Sequence, residues 1–248
     1  MTRKPAPPPA AQLPGRRAEA ARNDQLILDA AHAVFIGDPA APVSEVARRA
    51  GVGIAALYRR YPSKEDMLRK LSGDGLHRYI AEAERALADD RDPWTAFAAF
   101  MGRVVTADTH SLTQRLAGTF TPTEELYRDA ARAQGLNVAL FERVRADGAI
   151  RPDMVVDDIA WVLEMVAAVR LRDGQRTLQL RQRYLALLLD GLRAPGNAGA
   201  PGKAGAPGKA GAPGKAGAPG KAGAPGRTGA LLPGPPPTWP EIGERWNT

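Results

Sequence analysis

Apolar positions between about residues 19 and 193 recur at helical spacing, and runs of alternating β-branched residues are missing. Ile27, Ala31, Val34 and Phe35 fall at i, i+4, i+7 and i+8, a single stripe that ends at Gly37. The pattern then predicts a short helix over 43–50, a turn at Gly51-Val52-Gly53 and a second short helix over 54–61, stopped by Pro62. Ser63 and Asp66 form a capping box for a fourth helix. Asp92-Pro93 reads as N-cap and first position of a helix over 94–107, and Thr121-Pro122 as the same pair for a helix reaching about Asp147. Gly148 closes that helix, and two more follow at about 155–172 and 174–192. The expectation is an all-α chain of about nine helices.

The last two helices are apolar on more than one face. Ile159, Val162, Leu163 and Val166 form one stripe, with Trp161, Met165 and Ala168 beside it; Leu180, Tyr184, Leu187 and Leu188 form another, flanked by Leu185, Leu189 and Leu192. Such helices are either fully buried or shared with a partner. A homodimer interface through Val162, Val166, Leu180, Tyr184, Leu187 and Leu188 is the first expectation; a central core pair within one subunit is the other. Glu164 interrupts the apolar helix and is expected to face solvent.

Segment 43–68, VSEVARRAGVGIAALYRRYPSKEDML, places two short helices around a tight glycine turn, the spacing of a helix-turn-helix. Val46, Ala47, Ala50, Val52 and Leu57 would hold the pair together, and Gly51 takes a positive φ cheaply. The outward face then offers Tyr58, Arg59 and Arg60, with Lys64 opening the next helix, a set suited to phosphate oxygens. A capped surface hairpin with solvated arginines would carry the same pattern.

Charge localises this function. Residues 1–72 carry a net +5, residues 73–193 a net −2 and residues 194–248 a net +4, which together make the overall +7. Basicity thus belongs to the two ends, as expected of a polyanion-binding head on a body with another task. Glycine and proline are also uneven: 14 of 26 Gly and 11 of 22 Pro lie in residues 194–248. There Gly recurs every third residue from Gly196 through twelve triplets, the period a collagen triple helix requires. A spacer is the preferred expectation for this tail, because thirty-six residues are few, only about half of the triplets carry Pro, and a dimer does not supply three chains.

Several chemistries drop out. Without cysteine there is no disulfide framework, thiol nucleophile or Cys-ligated zinc, and His32, His77 and His110 lack ligand spacing. No catalytic constellation, metal or cofactor is expected, and neither a secretory signal nor a membrane-length apolar run is visible. A cytoplasmic location follows as an expectation.

Residues 51–68, GVGIAALYRRYPSKEDML, resemble the turn, recognition helix and following helix start of the tetracycline-repressor (TetR/AcrR) family. SEVARRAG and NDQLILDAAHAVF resemble its second and first helices, with matching spacing over about 50 residues. More weakly, GAIRPDMVVDDIAWVL and LALLLDGLRAPG resemble an SbtR-like branch of the family. Composition marks a basic, disordered leader at 1–18 and a disordered Gly-X-Y tail at 194–248, and the resemblance implies a three-helix DNA-binding domain at 19–72 and a helical effector-binding and dimerisation domain at 73–193. It implies a homodimeric repressor that binds a palindromic site in double-stranded DNA and is released by an unknown small-molecule effector. A collagen-like structural protein, or a DNA-binding protein without an effector, are the alternatives.

Residue by residue, the resemblance puts Gly53, Ile54, Ala55 and Ala56 against base edges, and Tyr58, Arg60 and Tyr61 at phosphate or groove contacts. Lys64 and Ser44 would reach the backbone, and Arg59 or Arg60 would read guanine, since Ile54, Ala55 and Ala56 offer only apolar surface to thymine methyls. The basic leader could add a groove contact or merely aid solubility. Phe97, Phe100, Met101, Trp161 and Met165 are the candidate lining of the effector pocket, although plain core is the commoner reading of any one residue in such a stripe. Two departures from the family pattern stand out: Pro42 where a capping Thr is common, and Gly53 where Ser precedes the recognition helix.

Overall fold

A computed structural model describes residues 14–116, 118–194, 232–238 and 240, without the side chains of 14–21, 111 and 113–115. The described residues form nine helices: α1 (Pro14–Gly37), α2 (Val43–Ala50), α3 (Ile54–Arg60), α4 (Lys64–Leu87), α5 (Pro93–Thr106), α6 (Thr109–Leu116), α7 (Glu124–Ala146), α8 (Asp158–Ala168) and α9 (Gly174–Leu192). Their only extended pairing is an isolated antiparallel bridge between Ile150 and Arg193. The all-α expectation holds. Most of the expected leader, and the whole Gly-X-Y repeat, lie outside the described residues.

Local sequence accounts for most helix boundaries. The Asp92 carboxylate accepts the Thr95 amide at 2.9 Å and Pro93 takes the first helical position, where its missing N–H costs nothing. Ser63 Oγ accepts the Asp66 amide and donates to the Asp66 carboxylate. Asp173 caps α9 through the amides of Gln175 and Arg176. Three boundaries differ from the sequence expectation. Helix α1 starts at Pro14, inside the expected leader. Helix α7 starts at Glu124, because Thr123 and not Thr121 accepts the Leu126 amide as N-cap. Helix α8 is shorter at both ends: the Asp158 carboxylate accepts the Val155 amide and closes a turn ahead of it, and Val169 leaves helical geometry at ψ 113°.

The chain divides inside α4 into two compact units, one through Leu71 and one from Ser72. In the first, Phe35 of α1, Val46 of α2, Leu57 of α3 and Met67 of α4 are fully buried. In the second, Phe97, Phe100 and Met101 of α5 pack among Leu140 and Phe141 of α7, Ile159, Val162, Leu163 and Val166 of α8, and Leu185 of α9.

This packing corrects three expectations. Phe97, Phe100 and Met101 are each 0% exposed and belong to solid core instead of lining a pocket. Val162 and Val166 also face inward, whereas Trp161 and Met165, expected to line a pocket, stand outward at 36% and 53% exposure. The inward stripe is the one continued by Ile159 and Leu163, so the helix turns its branched aliphatic side to the core and its bulkier side out. Glu164, expected in solvent, is 7% exposed and lies 3.9 Å from His110 Nε2.

Candidate nucleic-acid interface

The helix-turn-helix is built from the turn outward. Gly51 adopts φ 69°, and the following amide of Val52 donates to the Ala47 carbonyl at 3.1 Å, closing α2 with a left-handed cap. The chain is thereby turned so that α3 begins two residues later. Pro42 precedes α2 in extended geometry without a side-chain cap, and α2 nonetheless starts at Val43. Gly53 precedes α3 in the same way, leaving the first amides of α3 without a side-chain acceptor.

Helix α3 buries Leu57 completely and turns nearly everything else outward. Gly53, Ile54, Ala55 and Ala56 are exposed, as are Tyr58, Arg59 and Arg60; Ser44 is exposed on α2. Helical spacing sets Tyr58 above Ile54 and Ala55, and Arg59 above Ala55 and Ala56. The face combines small apolar groups at one end with a phenol and two guanidinium groups at the other. No hydrogen bond or ion pair to another described residue engages Arg59.

Arg60 is engaged differently. Its Nε and Nη2 donate to the two carboxylate oxygens of Asp24 on α1, at 2.8 and 3.0 Å. The Tyr61 hydroxyl donates to the same carboxylate at 2.7 Å. Arg60's guanidinium holds the Asp24 carboxyl below the usual carboxylate range against the opposing effect of partial burial. Burial and the same carboxylate push the Tyr61 phenol up.

Two expected contact residues are therefore occupied inside the unit. Tyr61 is 5% exposed and packs in the core, so it supports α3 from behind instead of presenting itself on the surface. Lys64 donates to the carbonyls of Pro39 and Ala41 at 2.7 and 2.9 Å and lies 5.1 Å from the Phe35 ring centroid. Two of its three N–H bonds tie the start of α4 to the α1–α2 connection. Sequence reasoning did not single out Asp24, which lies 36 residues from Arg60 and shares no local motif with it.

The second unit holds a small polar recess. Val104 and Val105 of α5, Asp108 and His110 near the start of α6, Leu163, Val166 and Ala167 of α8, and Arg181 of α9 line about 10 Å³ of space, room for about one water. Arg181 is 5% exposed and donates to Asp108 and to the Val169 and Ala167 carbonyls that end α8. Asp108 takes φ 51°, an uncommon left-handed conformation for a residue with a side chain. No helix among the described residues is long and apolar enough to cross a membrane.

Residues 27–71 match the bacterial regulatory proteins of the tetR family. The chain belongs to the TetR family. Residues 92–194 match the C-terminal domain of SbtR-like transcriptional regulators, which places the second unit in that branch of the family. A 72-residue segment is 35% identical to the HTH-type transcriptional repressor LfrR of Mycolicibacterium smegmatis, covering 29% of this chain and 35% of that protein. The match thus spans about a third of that relative's length. Two solved structures share the family fold. The ketosteroid transcriptional regulator KstR2 of Mycobacterium tuberculosis is 22% identical over 74% of this chain and 98% of its own, with a TM-score of 0.53. A gamma-butyrolactone receptor (ArpA-like protein) is 18% identical over 69% and 86%, with a TM-score of 0.55.

Proposed function

We propose that the protein is a cytoplasmic, sequence-specific DNA-binding transcriptional regulator, a homodimeric repressor and not an enzyme, released from a palindromic operator by a small-molecule effector. The observation that carries this reading is the face of α3 in a TetR-family chain: Ile54, Ala55 and Ala56 at its start, with Tyr58 and Arg59 exposed beside them. The apolar trio suits thymine methyls, Arg59 suits a guanine edge, and Tyr58 and Ser44 suit phosphate oxygens. Residues 19–72 form the reading domain and 73–193 the effector and dimerisation domain.

The dimer surface is assigned to the outward sides of α8 and α9, where Trp161, Met165, Tyr184 and Leu187 are exposed. Of the interface residues expected from sequence, Tyr184 and Leu187 remain in this surface. Leu180 and Leu188 flank it half-buried, and Val162 and Val166 drop out as core. The effector site is assigned to the recess around His110 and Arg181, beside the buried Glu164. It holds room for about one water between aliphatic side chains and the Asp108, His110 and Arg181 groups, so an effector would enter by parting α6 from α8.

In-vitro selection from random duplexes tests the central claim. A palindrome with half-sites one helical turn, or a multiple, apart is the expected product. Failure to enrich any palindrome overturns the reading. Arg59→Ala should relax preference at one base pair of each half-site, with a loss of roughly 1–3 kcal/mol. Tyr58→Phe should weaken binding to all duplexes alike.

A further inference from the structure

The carboxylate of Asp24 sits where a DNA-binding head has no obvious use for one. It lies within the first unit, its side chain only 17% exposed, and faces the end of the helix proposed to read bases. Three donors converge on it: the Nε–H and Nη2–H of Arg60 and the hydroxyl of Tyr61. Lys70 of α4 adds a positive field at the same carboxylate. The Arg60 side chain remains 60% exposed, so its charge is at the surface but is held in a two-point fork.

A guanidinium held this way differs from a free one. Its Nε/Nη2 edge, the edge best matched to carboxylate or phosphate, is consumed. Its charge is offset within hydrogen-bond distance by a full negative charge. To contact phosphate through that edge, Arg60 would have to leave an acceptor that keeps only the Tyr61 bond and the field of Lys70. Arg59, one residue earlier, carries no such restraint.

We infer that Asp24 is a positioning residue that limits overall DNA affinity: by clamping Arg60 it withholds one cation from the phosphate backbone, leaving Arg59 as the arginine at this end of α3 that is free to contact DNA. Phosphate contacts strengthen binding to every sequence alike, so withholding one lowers affinity for operator and non-specific DNA by the same factor and leaves base readout in place. The inference rests on the DNA-binding reading above and concerns a residue that reading does not use.

The test measures binding of the full chain, by fluorescence anisotropy across a salt series, to a selected operator and to a shuffled duplex of the same composition. Asp24→Asn keeps the shape of the side chain and removes its charge. It should tighten binding to the shuffled duplex and steepen the slope of log K against log salt by about 0.9, one released phosphate contact. Affinity for the operator and for the shuffled duplex should each rise about tenfold, the size of one charged hydrogen bond, and their ratio should stay at the parent value.

The double variant Asp24→Asn/Arg60→Gln should return the slope to the parent value, because the freed cation is gone. An unchanged slope and affinity in Asp24→Asn overturns the inference. So does a gain that survives in the double variant, which would belong to the lost acid alone. Arg60→Gln by itself alters an exposed side chain and keeps the test decisive if Asp24→Asn misfolds. It should leave the slope on shuffled duplex near the parent value, whereas a fall of about 0.9 shows that Arg60 already contacts phosphate. Should the parent chain bind neither duplex, the DNA-binding reading fails on its own account.

Discussion

Asp24 and Asp92 are single carboxylates that hold helix ends by different means, one through a distant guanidinium and one through an amide three residues away. Both lie below the ordinary carboxylate range, Asp24 chiefly because of Arg60 and Asp92 because of its bonds to Thr95. A depressed folded-state pKa contributes stability above the unfolded value and loses it as pH falls through the folded one. The thermal midpoint should therefore change little from these groups between pH 7 and 5 and decline below about pH 4. Asp92→Ala should cost about 1 kcal/mol at neutral pH, read as a fall of a few degrees in the calorimetric midpoint. It should also flatten the acid decline, since the group that titrates is gone.

Residues whose partners lie close in sequence were legible: the Ser63–Asp66 box, the Asp92 cap and the left-handed turn at Gly51 all follow from spacing. The Asp24–Arg60–Tyr61 cluster was not, because nothing along the chain reveals which acid of α1 meets the end of α3. The internal partners of Tyr61 and Lys64 were hidden for the same reason. A tyrosine or lysine beside an exposed helix looks like a contact residue until its hydroxyl or ammonium is seen bonded to a carboxylate or to two carbonyls.

Among the helices, α8 shows how periodicity predicts an element without fixing its rotation. Its sequence is apolar on two sides, and either side could face the core. The core took Ile159, Val162, Leu163 and Val166 and left Trp161 and Met165 outside. This distinction can be tested by introducing a charge on each side. Met165→Glu or Leu187→Glu should leave the circular dichroism spectrum intact and convert the assembly to a monomer by light scattering. Val162→Glu should instead unfold the second unit, since a carboxylate buried among aliphatic chains has no partner there. A dimer that persists with glutamate at both exposed positions would place the interface elsewhere.

Boundaries show a similar division between local and distant causes. The start of α5 was predictable from Asp-Pro, whereas the late start of α7 depended on which of two threonines reached an amide. Helix α6 carried no boundary signal as clear as these. It follows Asp108, whose left-handed backbone accompanies its bond to Arg181, 73 residues later in the chain.

At the scale of the whole molecule, the uneven charge agrees with the division of labour better than the overall +7 does. The +5 of residues 1–72 accompanies the exposed face of α3, and the −2 of residues 73–193 accompanies the unit with the buried Glu164 and the Asp108–Arg181 pair. The family and its two-part organisation were legible because one motif of about 50 residues is specific. An effector site was not, because Phe97, Phe100 and Met101 fill the core and Trp161 and Met165 stand outside it, while the recess is assembled from four helices with no shared motif. Glu164→Gln and His110→Ala should leave operator affinity within about twofold and change the concentration of effector needed for release. An identical response in both variants would remove the recess from that role.

One small feature bears on how the chain responds to force. At the end of α9 the Arg151 amide donates to the Leu192 carbonyl and the Ala194 amide to the Ala149 carbonyl, while the Arg193 guanidinium lies 4.9 Å from the Trp94 ring centroid. A pull on the chain beyond Ala194, such as an unfolding protease would exert, meets this clasp before it reaches α9. The load passes into residues 149–151 and the start of α5, so the first mechanical step breaks the two backbone bonds and the cation–π contact. Shortening the chain to end before Arg193 would remove that resistance and leave α9 to fray from its last turn.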